Sequence, residues 1–240
     1  MPGYLEYRIQ LKDAATLESI ITAGGVCYVA GADDPAKVTL YSDKIGTSLA
    51  NPIALTRGFI NFFTADTVAS VDLFIEAPGG QSLVAKGITP SGPNELLVDT
   101  LSRHQVMVIP FAIADTAANT ETDTGFDTGV DKVFQPFPFV RVTTLDDTET
   151  IDVGTDGSGA DDPNGFMAAV PVATAVINLP TLDDTVETLG VLLKETDSAN
   201  AGDFVPEPFV NSVDEDITYT LSAGTDTAEG YIHLPYLLAA

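Results

Sequence analysis

The sequence predicts a mainly β protein in two domains, and three observations carry that reading. Short runs rich in Val, Ile, Phe and Tyr recur along all 240 residues, separated by Gly, Pro, Asn and Asp, the pattern of strands joined by turns. Only one segment has the layout of a helix. The charge is also unevenly divided: residues 1–103 hold 11 acids and 7 bases, whereas residues 104–240 hold 24 acids and 3 bases, Lys132, Arg141 and Lys194. The break falls in GITPSGPNELLVDTLSRHQ (87–105), whose Gly, Pro and Ser read as linker. The expected organisation is an N-terminal β domain over 1–90, a linker over 91–104 and an acidic C-terminal domain over 105–240.

In the first domain YRIQL begins as an alternating strand. DAATLESIITAGG follows as the expected short helix, with Asp13 as N-cap, Leu17, Ile20 and Ile21 on one face, and Gly24 and Gly25 as terminators. VCYVA, KVTLYS, GFINFFTA, VDLFIEA and QSLVAKGI read as strands, with Val71, Leu73 and Ile75 sharing a face and APGGQ making a hairpin connection. Regular short strands of this kind predict a small sandwich or barrel.

The second domain repeats the style with more acidic turns. Its strand candidates are QVMVIPFAI, FPFVRVTT, ETIDVG, ATAVINL, TLGVLLKE, DITYTLS and GYIHLPYLL, although TLGVLLKE fits a helical turn equally well. That number of strands predicts an antiparallel β-sandwich, jelly-roll-like. Pro110 and Pro235 each remove a ladder donor, which places their strands at an edge or a bulge. TAANTETDTGFDTG (116–129) reads as a long exposed loop. TLDDT occurs at 144–148 and again at 181–185, which turn chemistry explains without duplication.

Composition excludes several function classes. A net charge of −25 repels phosphate backbones, so no nucleic-acid partner is expected. No run of eighteen apolar residues is present, so no membrane partner is expected. MPGYLEYRIQLKD lacks the layout of a secretory signal, and no export is expected. The single cysteine, Cys27, sits among small and apolar residues, as a buried thiol would.

The most site-like stretch is TLDDTETIDVGTDGSGADDPNGF (144–166), with seven acids and no base. Calcium binding needs six to eight oxygens. Counted from Asp152, Asp156 and Gly157 fall at positions five and six of a calcium loop. Gly154 then stands at position three and Pro163 at position twelve, where Asp or Asn and Glu are required. No metal site is therefore expected, Asp152, Asp156, Asp161 and Asp162 being the only candidate ligands, and PNG (163–165) reads as a tight turn closing a solvated loop. A glycosidase pair would lack an aromatic platform here, since the stretch has no aromatic residue before Phe166. His104 and His233, the only imidazoles, lie in RHQVMVIPF and GYIHLPYLL, which resemble paired strands. Two His without a third ligand make a poor zinc site, and there is no GxSxG elbow or nucleotide-binding glycine motif. No cofactor and no catalytic residue are expected.

VTLYSDKIGTSLANPIALTRGFINFFTADTVASVDLFIEAPGGQ (38–81) resembles a module of structural proteins of tailed bacteriophages: a strand, a D-x-x-G-T turn, L-A-N-P with L-T-R-G, then S-V-D-L leading to A-P-G-G. GPNELLVDT, QVMVIPFAIADT, RVTTLDDTETIDVG, TDSANAGDFVP and ITYTLSAGTDTAEGYIHLPY are similar to segments of the same class, so the resemblance spans most of residues 38–240. It implies a non-enzymatic virion component made in the host cytoplasm. The favoured role is a decoration (cement) protein on the outer capsid surface, bound to the major capsid protein and self-associated as a trimer. A tail or neck fibre component, or a receptor- or carbohydrate-binding β-sandwich, is the alternative. The resemblance carries over no functional residue.

Overall fold

A computed structural model of the chain describes residues 3–20, 24–90, 95–98, 103–112, 120–144, 150–156, 162–172, 177–180, 182–183, 186–196, 204–211, 213–222 and 228–239. The protein is mainly β, with no α-helix among these residues. It divides into two units, Met1–Arg103 and His104–Ala240. The division coincides with the change in charge.

Unit 1 contains β1 (Tyr4–Asp13), β2 (Val26–Gly31), β3 (Asp34–Lys37), β4 (Leu40–Tyr41), β5 (Ser48–Leu49), β6 (Ile53–Ala54), β7 (Phe59–Ala65), β8 (Val71–Glu76), β9 (Ser82–Ile88) and β10 (Glu95–Val98). One sheet has the order β10-β1-β7-β4-β5; the other runs β3-β2-β8-β9, with β6 on β2. Alternation in β1 buries Tyr7, Ile9 and Leu11 and leaves Arg8 exposed. Those three join Ile60 and Phe62 of β7, Cys27 and Val29 of β2, and Val71, Leu73 and Ile75 of β8 in one apolar cluster drawn from both sheets. The Tyr7 and Phe62 rings stack at 4.7 Å.

Strand β8 is buried along its whole length. Its second face carries Asp72, Phe74 and Glu76. Phe74 meets Tyr28 edge-on at 6.2 Å, and the Tyr28 hydroxyl donates to the Pro35 carbonyl at 2.9 Å. Asp72, 1% exposed, accepts from Lys86 Nζ at 2.8 Å, the Gly87 amide at 2.8 Å and the Asp33 amide at 3.2 Å. Burial works against its charge, but Lys86 and the two amides outweigh it and hold the carboxyl below its ordinary range.

The expected helix after β1 does not form over its described part. Asp13 does cap a turn, its Oδ1 accepting from the amides of Ala15 and Thr16 at 2.8 and 2.7 Å. Leu17 then takes a left-handed conformation (φ 60). The chain turns back, so that the Asp13 amide reaches the Glu18 carbonyl and the Ile20 amide reaches the Leu11 carbonyl, both at 3.0 Å. A cap signal is shared by helices and by single turns, and pairing to β1 decides between them. Within the expected linker, Glu95–Val98 form β10, which runs parallel to β1.

Asn51 of the L-A-N-P motif fills a gap in the edge of β2. Strand β6 covers Val26 and Cys27, and β3 covers Ala30 and Gly31. Between them, Asn51 Oδ1 accepts from the Val29 amide at 3.0 Å, while Nδ2 donates to the carbonyls of Val29 at 2.7 Å and Val38 at 3.0 Å. The side-chain amide thus does for one residue what a neighbouring strand does elsewhere.

Unit 2 contains β11 (His104–Ala112), β12 (Thr122–Asp127), β13 (Lys132–Phe134), β14 (Phe139–Thr144), β15 (Thr150–Asp156), β16 (Asp162–Pro171), β17 (Ile177–Asn178), β18 (Leu182–Asp183), β19 (Val186–Glu187), β20 (Lys194–Thr196), β21 (Phe204–Pro206), β22 (Phe209–Val210), β23 (Asp216–Leu221) and β24 (Glu229–Leu238). A six-stranded sheet has the order β17-β14-β24-β13-β22, with β11 also on β24, and a four-stranded sheet runs β12-β23-β15-β16. Phe111 of the first meets Tyr219 of the second at 6.2 Å, and Phe134 of the first meets Phe166 of the second at 5.0 Å. TLGVLLKE resolves into a 3-10 turn at Val191–Leu193 followed by β20.

Three expectations for unit 2 need correction. Part of the expected loop 116–129 is β12: Thr124 and Phe126 are buried, and the Thr124 hydroxyl donates to the Ile217 carbonyl at 2.6 Å. Its inward positions are held partly by Thr, which hides the alternation from a hydrophobicity reading. PNG (163–165) is not a turn; it lies within β16. Pro235 does not mark an edge, because β24 is flanked on both sides. It sits where the neighbour changes, between the His233–Phe139 pair with β14 and the Tyr236–Phe134 pair with β13. Pro110, by contrast, lies in β11, which pairs with β24 alone among the described residues.

Asn51→Ala removes the bonds at Val29 and Val38 without touching the core. It is expected to lower unfolding stability by about 2 kcal/mol, the cost of leaving partly buried backbone groups unpaired. Urea denaturation of the two proteins would show this as a lower midpoint at unchanged slope.

Candidate functional site

The acidic stretch 144–166 contributes two neighbouring strands rather than one loop. β15 pairs with β16 through Thr150–Pro171, Ile151–Val170, Val153–Met167 and Thr155–Asp162, with register shifts on both sides of Val153. At the first shift, Asp152 faces the extra residues of a bulge. Its Oδ1 accepts from the Ala169 amide at 2.6 Å, and Ala169 is left-handed (φ 49). A bulge leaves one amide outside the ladder, and the Asp152 carboxylate takes it up. Gly154 has an equally local role: a Cβ there would overlap the Asp162 carbonyl oxygen and Pro163, so only glycine permits the close approach of β16.

These positions separate Asp152 from the other candidate ligands that are described. Asp152 and Asp156 lie on one strand, four residues and roughly 13 Å apart along it. Asp156 is exposed opposite Asp216 of β23, and Asp162 is paired with Thr155. Asp161 lies outside the described residues. Among the described residues, no group of three or more His, Cys, Asp or Glu is placed to hold a metal ion. The first TLDDT lies outside them beyond Thr144; the second gives Leu182 and Asp183 to β18, which pairs with β19.

The two histidines lie on paired strands but out of step. His104 stands opposite Leu237, while His233 stands opposite Val108, an offset of about 13 Å. His104 is exposed. The His233 ring stacks on Phe139 at 4.2 Å, with 8° between the planes, and its buried Nε2 has no hydrogen-bond partner. Burial, with the Arg141 guanidinium nearby, lowers the pKa of His233 from 6.5 to about 4. The ring is neutral at pH 7, and its stacking makes it part of the sheet surface. Cys27 is fully buried in β2, where desolvation pushes its thiol up, and it has the surroundings of an inert core residue.

A second polar group in unit 2 is also structural. Asn211 Nδ2 donates to Glu215 Oε2 at 2.6 Å and to the Thr128 hydroxyl oxygen at 3.3 Å, and that oxygen also accepts from the Glu215 amide at 3.0 Å. Beside it Lys132, 1% exposed, donates to the Asp127 carbonyl at 2.8 Å and lies over the Tyr236 ring at 5.8 Å. One of the three bases of the acidic half is therefore enclosed by the fold.

Unit 2 also carries an apolar cleft. Pro136, Phe137, Pro138, Leu179, Pro180 and Pro206 line a cleft of about 230 Å³ over Leu189, all within unit 2. Phe137 is 68% exposed and Leu179 65% exposed. The Phe137 amide donates to the Gln135 carbonyl at 2.8 Å, and proline stands on each side of it. These restraints limit the backbone freedom at Phe137, so less of it is lost on binding. Phe137 and Leu179 escape a pattern-based reading because each adjoins a short apolar run and looks like a strand residue. Proline on both sides of an aromatic was the available signal.

No protein-family model, curated protein or solved structure matches this chain.

Two measurements follow from these positions. Asp152→Ala is expected to cost about 1 kcal/mol by freeing the Ala169 amide, and Asp152→Asn, which retains an acceptor, much less; thermal melts of the two variants compare them. For His233 the folded-state pKa lies below the unfolded one. Its contribution is therefore complete above pH 6.5 and is lost as pH falls from there toward 4. Between pH 6.5 and 5 the denaturation midpoint of the wild type is expected to fall, and that slope should flatten in His233→Phe.

Proposed function

We propose that this protein is a non-enzymatic structural component of a bacteriophage virion, a decoration protein bound to the outer surface of the head. The observation that carries the reading is what the residues of the resemblance do. Asp43 of the D-x-x-G-T turn accepts from the amides of Ile45 at 3.0 Å and Thr47 at 3.1 Å. Hydrogen bonds from the Thr47 side chain, then its amide, hold that carboxyl below its ordinary range. Asn51 completes the edge of β2, and A-P-G-G closes the β8–β9 hairpin, with the Ala77 amide on the Gln81 carbonyl at 2.7 Å. The shared wording is thus a wording of architecture, as suits a class defined by assembly instead of chemistry.

In this reading unit 1 is a small β-sandwich and unit 2 a jelly-roll-like antiparallel sandwich, which the apolar cluster shared by two sheets and the aromatic contacts between sheets support. Unit 1, with a net charge of −4, faces the major capsid protein, and unit 2, at −21, faces solvent. Repulsion between acidic faces keeps particles dispersed. The unit 1 surface is mixed in charge: Arg8 and Lys44 meet Glu6 at 2.6 and 3.5 Å, and Lys12 meets Glu95 at 2.7 Å, and in this reading these bases, with Lys37 and Arg57, contact the shell. Weak contacts repeated over a closed lattice add through avidity, and a trimer would triple them.

Electron microscopy of intact particles tests the proposal. Density for this chain at threefold positions of the head, with unit 1 innermost, is the expected result. Density confined to tail or neck would reject the decoration role, and unit 2 against the shell would reject the orientation.

A further inference from the structure

We propose that the proline-lined cleft of unit 2 is a docking site for a foreign polypeptide segment that presents an apolar side chain among Lys and Arg residues. The proposal goes beyond the virion reading and does not depend on it.

The cleft itself accounts for the apolar half of this chemistry. Leu189, 4% exposed, forms its floor, and the exposed Phe137 and Leu179 stand at its margins beside four prolines. Proline and a proline-bracketed Phe give a wall with a restrained backbone, so an entering side chain orders little main chain as it loses water. Exposed apolar groups of this size cost solubility unless a partner covers them for part of the time.

The net charge of unit 2, −21, decides what that partner is. Unit 2 holds 24 acids against three bases, Lys132, Arg141 and Lys194, and Lys132 is enclosed by the fold. Glu207 directly follows Pro206 and is exposed. Lys194 pairs with Pro206 in the β20–β21 ladder, and Arg141, on the solvent side of β14, stands opposite Ile177. Two local bases do not offset a unit of net charge −21. A second copy of the chain would bring another strongly acidic unit to the cleft, against the field. A cationic segment is drawn to it at long range and then anchored by its apolar group.

The test uses the full chain and three synthetic peptides, followed by NMR chemical-shift titration. The first has a central Phe-Pro flanked by Lys, the second replaces Phe-Pro by Ala-Gly, and the third keeps Phe-Pro but replaces Lys by Glu. The expected result is saturable binding of the first peptide, with shifts at Phe137, Leu179 and Leu189. Affinity for the second should be at least about tenfold weaker, the third should not bind, and added salt should weaken the first. Phe137→Ser and Leu179→Ser alter exposed side chains, so the fold should persist by circular dichroism, and each should weaken the first peptide about tenfold, near the scale of one buried apolar side chain. Equal binding of the Lys/Ala-Gly peptide would reduce the site to unspecific charge and overturn the proposal. So would unchanged affinity in both variants. Absence of peptide binding, with concentration-dependent self-association in sedimentation that Phe137→Ser abolishes, would assign the cleft to a second copy instead.

Discussion

A strand buried within a sheet cannot leave an amide or carbonyl without a partner, and this chain is built from strands too short and too often interrupted to supply all those partners themselves. Side chains make up the difference. Asn51 stands in for a missing strand beside Val29, Asp152 takes the amide displaced by the bulge at Ala169, and Asp72 gathers the amides of Asp33 and Gly87. Thr128, Asn211 and Glu215 hold the approach to β23 in the same way. Many polar residues that would attract attention as ligands or catalysts are thereby committed to the backbone.

The two units are different kinds of object. In unit 1 four of the seven bases meet acids at close range, Arg8 and Lys44 at Glu6, Lys12 at Glu95 and Lys86 at the buried Asp72, and the first three of these make the surface mixed. In unit 2 one of three bases, Lys132, is enclosed among Asp127, Tyr236 and their neighbours, and Asp156 stands opposite Asp216. Exposed pairs of either kind add little to folding. Their consequence is for encounter: the second unit repels its own kind and phosphate backbones, and attracts cations.

An assembly role and a docking cleft draw on separate parts of this picture. The first rests on a resemblance whose residues serve turns and strand edges. The second rests on a rigid apolar surface set in an acidic chain. The proposed docking at the cleft would add a specificity that a diffuse field lacks, since Phe137 and Leu179 mark a place where the field gives only a sign of charge.

The sequence by itself determined the β class and many strand positions, because period-2 burial and turn residues act over a few residues. It also determined the charge contrast across residue 103. It misjudged places where a local signal has two outcomes: Asp13 caps a turn whether or not a helix follows, Pro-Asn-Gly can begin a strand, and Thr122–Asp127 alternates with Thr where an apolar residue was sought. Only tertiary structure decided these, because each depends on which strand lies alongside. The same holds for the site-like residues. Whether Asp152 binds an ion or an amide depends on a bulge in β16, and whether Phe137 is core or surface depends on how Pro136 and Pro138 turn the chain. Those are facts of pairing between distant segments, and no short window of sequence contains them.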